Sequence, residues 1–309
     1  FLYDQLGYPE PDVDEDGEKD YNLRKVEQVY TVPGLTTHFF SQTGVTYFEG
    51  MEFNDSLRMQ LDIETYTEHS FPHPDREVDT VTIVSITTNR GHEEVHHLEC
   101  GVTKPYSKAY ASEPILLDAV FERIREIDPD VIEGHNIFGF DLRYLHERAK
   151  RYDMRMNIGR DEQNIYRWPS SKTFAERDVE FPMFDIPGRT VIDTWFLVMS
   201  YDVYAAKYFG FASEDRTYVP GEEIPEYWRE RPGELLEYAL DDVRETKMLA
   251  EQLSGSIFYL AQIMPFTYQD SSRYGNNTLV ETLFVREYLR KRVSIPEPDG
   301  GGQKHGGYT

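Results

Sequence analysis

The chain has 309 residues, a formal net charge of −24 and one cysteine, and no apolar run approaches the ~18–20 residues needed to cross a bilayer. A lone cysteine excludes an intramolecular disulfide and a cysteine-rich zinc site and suits a reducing, cytoplasmic setting, so any metal must rest on carboxylates or histidines. The acidity excludes a protein that grips nucleic acid through its whole surface, because phosphate binding needs concentrated Lys and Arg.

The start, FLYDQLGYPEPDVDEDGEKD, lacks the basic end and apolar stretch of a signal peptide. The chain opens on Phe1 and stops at GGYT, and both ends read as cuts in a longer protein. Residues 10–20 form an acidic loop, and residues 21–56 carry scattered aromatic and β-branched residues. Residues 1–50 are therefore expected to be a partial N-terminal β-rich module. From Arg58 the pattern sharpens. RMQLDIET and DTVTIVSITTN read as strands, and Glu93–Leu98 as a third. EPILLDAVFERIREIDP is predicted helical, DVIEGHN is a short strand, and FDLRYLHERAKRY is another helix. TVIDTWFLV passes from strand to helix, and PGELLEYALDDVRETKMLAEQL is a long helix. Residues 256–292 are helical again, and the tail after Pro296 is a Gly-rich linker. Strands first, then alternation, predicts an α/β domain over 51–255 with a mixed sheet flanked by helices, followed by a helical extension over 256–309.

Three stretches carry chemistry. In LDIETYT, Asp62 and Glu64 project from one face of a strand. They read either as an acidic face shown to water or as paired hard-oxygen ligands. In EGHNIFGFDLRYL, Asp141 stands where a loop enters a helix, a favoured capping position. Asn136, Phe138 and Phe140 precede it, which suits a ligand that is hydrogen-bonded and stacked. In EYALDDVRET, Tyr238 and Asp242 share a helix face with Leu235, Ala239 and Leu249, whereas Asp241 is rotated away. An Asp on an apolar face costs free energy unless it is paired or bound to a cation. If Asp62, Glu64, Asp141 and Asp242 converge, they form an all-oxygen site suited to Mg²⁺ or Mn²⁺. Four such charges gather only with cations, and two divalent ions can stabilise both oxygens of a phosphoryl displacement.

DIET, NIFGFD and YALDD resemble the three motifs of DEDD-type 3′→5′ exonucleases, Tyr238 marking the tyrosine subclass. SSRYGNNTLVETLFVREYLRKR and the terminal HGGYT are similar to segments leading from the exonuclease to the palm of family B DNA polymerases. The resemblance implies a ribonuclease-H-like fold and stepwise release of 5′-mononucleotides from a single-stranded DNA 3′ end. It implies two divalent cations on Asp62, Glu64, Asp141 and Asp242, with Tyr238 orienting the attacking water. It also implies nucleic-acid contacts from Thr65, Asn136 and Phe140. The partners implied are single-stranded DNA and the palm, fingers and thumb of a parent chain; no membrane is implied. Palm motifs are absent, so polymerase activity is not expected from these residues. Asp202 and Val203 align where the family usually has a Ser/Thr-Leu pair, which implies a different grip there. A free-standing DEDD ribonuclease and a non-catalytic scaffold are the alternatives.

Other residues read as structural. Basic runs at Arg143, Arg148, Lys150, Arg151, Arg155 and Arg160, and at Arg286, Arg290, Lys291 and Arg292, read first as solvated surface and second as phosphate contacts. His92, His96 and His97 read as an exposed hairpin rather than a zinc site, and Asp193 as a cap.

Overall fold

A computed structural model describes residues 12–13, 19–20, 34–161, 165–174, 177–200 and 219–295. Most of the acidic stretch at 10–20, the Asp202–Val203 pair and the HGGYT terminus lie outside the described residues. The chain divides into two compact units, one built from Phe1–Thr46, Met264–Thr267 and Asn276–Thr309, the other from Tyr47–Ile263 and Tyr268–Gly275.

In the smaller unit, Asp12–Val13 and Lys19–Asp20 pair antiparallel. Where a β-rich module was expected, Leu35–Thr43 is a helix (α1) that ends on Gly44 in the left-handed region. Its partner is the last helix, Asn276–Lys291 (α8, numbered after those below), and the two pack together.

The larger unit holds β1 (Arg58–Thr65), β2 (Val81–Thr88), β3 (Glu93–Leu98), β4 (Ser107–Tyr110), α2 (Glu113–Ile127), β5 (Val131–Gly134) and α3 (Asp141–Arg151). It continues through β6 (Tyr166–Phe174), β7 (Arg177–Asp185), β8 (Thr190–Asp193), α4 (Thr194–Ser200), α5 (Ile224–Glu230), α6 (Pro232–Ala261) and α7 (Tyr268–Arg273). Six strands form one mixed sheet in the order β8-β5-β1-β2-β3-β4. β1, β5 and β8 run parallel, and β2 is antiparallel to both β1 and β3.

The two faces of β1 explain its sequence. Met59, Leu61 and Ile63 join a core with Leu116, Val120 and Ile124 of α2 and Leu142 and Leu145 of α3. Gln60, Asp62 and Glu64 project the other way, toward the side where Ile83 and Val95 pack under Leu235, Tyr238, Ala239 and Val243 of α6. Every residue of β2 is buried, and all but Ser85 are β-branched, as suits a strand covered on both faces.

Several elements of the larger unit were not legible in the sequence, among them β4, the β6–β7 pair and α5. β4 is short and parallel to β3. β6 and β7 form a separate two-stranded ribbon in which Pro169 faces Pro182. Proline cannot donate to a ladder, but in a two-stranded ribbon both strands are edges, so the lost donors can face outward. The histidines of β3 also differ from expectation: His96 and His97 are buried, not exposed on a hairpin tip. Glu94 meets His92 Nε2 at 3.1 Å and His96 Nε2 at 3.4 Å, whereas His97 Nε2 lies 3.2 Å from Ser107 Oγ. Among the described residues no helix is long and apolar enough to cross a membrane.

Candidate active site

The C-terminal ends of the parallel strands β1, β5 and β8 bring Glu64, Gly134 and Asp193 to one edge of the sheet. Crevices outside such strand ends are where open α/β sheets hold ligands. β1 supplies Asp62 and Glu64. The ladder to β2 shifts register between Glu64 and Thr65, and Thr82 Oγ1 donates to Glu64 O at 3.1 Å. Such an irregularity re-aims side chains at a sheet edge.

α6 supplies Tyr238 and Asp242 from the face that covers the sheet. Carboxylate oxygens of Asp62, Glu64 and Asp242 all lie within 4.8 Å of one another. Tyr238 is 8% exposed, and its hydroxyl is hydrogen-bonded to Asp242. Burial, then Asp242 and Glu64, push this phenol far above its usual range, so it remains a proton-bearing donor. Asp241 is turned aside and meets Arg244 Nη1 at 3.2 Å.

Asp141 arrives from the first turn of α3, where Phe140, not Asp141, is the capping residue. Its Oδ1 accepts the Ile63 N–H at 3.1 Å, and it is 2% exposed. It stands beside the three gathered carboxylates rather than among them. Burial, opposed by backbone donors and reinforced by Asp193 and Asp242, pushes the Asp141 carboxyl up to about 8. Glu64 is driven well above the usual carboxylate range by burial, then by Asp242 and Asp141. Buried acids crowded this way take up protons unless a cation replaces them. The all-oxygen donor set, its spacing and its excess charge fit a hard divalent cation.

The other sequence-derived residues separate. Thr65 and Phe140 line a cavity of about 590 Å³ together with Glu64. Asn136 lies outside that lining; its left-handed backbone (φ 61°) gives its N–H to Asp193 Oδ1 at 2.8 Å. A Cβ on Gly139 would lie 2.4 Å from Asn136 Oδ1, so this glycine lets the amide lie close over the turn. Phe138 is not available to a ligand: it is buried, with Phe181 and Phe196 stacked near it. Asp193 also accepts the Trp195 N–H at 3.0 Å, the expected cap.

Sequence reading missed His69 and Phe71, which line the same cavity from the loop after β1. Phe71 is 80% exposed, and its position directly after the DIET strand was the available signal. Arg148, grouped with surface arginines, is buried and holds that loop by donating to Pro74 O and Arg76 O at 3.0 and 2.7 Å. It is not a phosphate contact.

The sequence model of the family B DNA polymerase exonuclease domain matches residues 21–208. A DNA polymerase of Archaeoglobus fulgidus is 24% identical over 259 residues, 83% of this chain and 30% of that protein. A DNA polymerase of Thermococcus sp. is 25% identical over 289 residues, 91% of this chain and 35% of the relative. The solved family B DNA polymerase of the hyperthermophilic archaeon Pyrobaculum calidifontis superposes with a TM-score of 0.63 at 26% identity, covering 81% of this chain and 31% of that one. The chain thus spans about a third or less of the length of these relatives.

Proposed function

We propose, from the premise that this chain belongs to the exonuclease domains of family B DNA polymerases, that it is a metal-dependent 3′→5′ exonuclease of single-stranded DNA ends within a longer polymerase. The exonuclease domain occupies 51–255 in this reading, between a partial N-terminal module (1–50) and a helical extension (256–309) toward the palm. The observation that carries it is the cluster of Asp62, Glu64 and Asp242, with buried Asp141 alongside.

In this reading Asp62, Glu64, Asp141 and Asp242 hold two divalent ions, Mg²⁺ or Mn²⁺. When bound, they lower the pKa of a water and offset charge on the attacking and leaving oxygens. Tyr238, kept protonated by its acidic neighbours, donates toward that water and fixes its line of approach. Thr65 and Phe140, lining the cavity beside Glu64, receive the last nucleotide by hydrogen bonding and stacking, since an aromatic face accepts any base. Asn136, its N–H held by Asp193, contacts the strand one step away.

The test is digestion of a 5′-labelled single-stranded DNA oligonucleotide with Mg²⁺ or Mn²⁺. The expected product is a ladder shortening from the 3′ end, abolished by chelation. Asp242→Ala should reduce the rate by on the order of a thousandfold, the loss of several kcal/mol of charge stabilisation. Undiminished digestion by Asp242→Ala overturns the reading, and faster digestion of a matched RNA would move the substrate class to RNA.

A further inference from the structure

Asp62 has a polar neighbour directly across the sheet. In the β1–β2 ladder Asp62 pairs with Ser85, and opposed residues of an antiparallel pair project from the same face. The pair two residues earlier displays that face: Thr87 Oγ1 donates to Gln60 Oε1 at 2.9 Å. The pair two residues later, Glu64 with Ile83, ends in the apolar layer under α6. Ser85 lies between them, fully buried, and its Oγ has no hydrogen-bond partner among the described residues.

An unmade bond on a buried hydroxyl costs about 1–3 kcal/mol. The other buried residues of β2 are either apolar, as Val81, Ile83, Val84 and Ile86 are, or threonines (Thr82, Thr87 and Thr88) whose hydroxyls are hydrogen-bonded. A serine in this strand, opposite this aspartate, is therefore retained against the interest of the core.

We propose that Ser85 is a positioning residue for the cation site, its hydroxyl donating to the Asp62 carboxylate when that carboxylate turns to a divalent ion. The proposal rests on the reading of Asp62 as a cation ligand. A carboxylate that gives one oxygen to a cation still accepts hydrogen bonds, and a donor there fixes its rotamer. The neighbouring acids already show the pattern. Asp141 is held by the Ile63 amide and Asp242 by the Tyr238 hydroxyl; Ser85 takes the corresponding place for Asp62. Serine fits because it is short enough to reach only its cross-strand neighbour, about 4.5–5.5 Å away between Cβ atoms. Being uncharged, it does not compete with the cation.

The test is Mn²⁺ titration by calorimetry, with thermal unfolding of the metal-free protein, on the full chain carrying Ser85→Ala or Asp62→Asn. Ser85→Ala should leave the metal-free melting temperature unchanged or higher while weakening Mn²⁺ binding about 10–100-fold. It should also raise the Mg²⁺ concentration for half-maximal digestion, with the rate recovering at saturating Mg²⁺. Wild-type Mn²⁺ affinity in Ser85→Ala, with affinity lost in Asp62→Asn, overturns the proposal and leaves the cation site standing. Wild-type affinity in Asp62→Asn overturns the cation reading itself.

Discussion

Helix α3 carries two buried charged residues seven positions apart, and they live in opposite surroundings. Arg148 is neutralised: its guanidinium meets Glu113 Oε1 at 2.8 Å and Oε2 at 2.5 Å and donates to loop carbonyls. Glu113 in turn accepts from Val81 N at 2.8 Å and Tyr152 Oη at 2.6 Å. Asp141, two turns earlier on the same helix, faces Asp193 and Asp242, and both raise its pKa. Where buried charge serves the fold, it is paired and bonded to completion. Where acids are crowded without a cation, the protein holds a site at the expense of its own stability.

Breaking the paired assembly should have the largest effect. Arg148→Met leaves Glu113 buried without its partner and should lower stability by about 3–5 kcal/mol in denaturant unfolding. Adding Glu113→Leu should recover much of that loss. Asp141→Asn, which keeps an oxygen for the Ile63 amide, should change metal-free stability by less than about 1 kcal/mol. Equal losses from both single variants would erase the contrast.

The next effect is in pH. In the folded protein Asp141 titrates at about 8 and Glu64 is also raised, whereas an unfolded carboxyl titrates near ~4. Between these values the folded state holds protons that the unfolded state has lost. The contribution of the site to stability is therefore complete below pH ~4 and falls as pH rises through about 8. Mn²⁺ should reverse this, so the gain in melting temperature on adding it should grow from pH 5 to pH 8. At a hundredfold excess over Kd the gain approaches about 2.7 kcal/mol. A gain independent of pH would mean that cations bind elsewhere.

The smallest expected effect separates surface from interior. With a net charge of −24, raising monovalent salt from about 0.1 to 1 M, which shortens the screening length from roughly 10 to 3 Å, should raise the melting temperature by a few degrees. The loss caused by Arg148→Met should change little with salt, because buried pairs are poorly screened.

Much of the larger unit was legible because its signals are local. Asp242 stood out because a helix repeats every ~3.6 residues and its face is otherwise apolar. Asp62 and Glu64 stood out because strand side chains alternate, although alternation left open whether their face met water. Covering by α6 closed that question for Glu64, which is buried, while Asp62 stays half-buried. The β6–β7 ribbon was missed because its prolines and polar residues mimic a loop. His96 and His97 were misplaced because burial of β3 depends on α2 and α6 crossing its two faces. Arg148 could not be told from Arg143 by type; only the position of Glu113 decides that one is buried and the other exposed.

By itself the sequence determined the main strands and helices of the larger unit and which acids each presents, because backbone geometry repeats over a few residues and needs no distant partner. Tertiary structure alone decided that three carboxylates gather while Asp141 stands beside them, and that Ser85 faces Asp62. Those outcomes depend on strand register, on a shift after Glu64 and on where α6 crosses the sheet. They are set by contacts far apart in the chain, which no local period encodes.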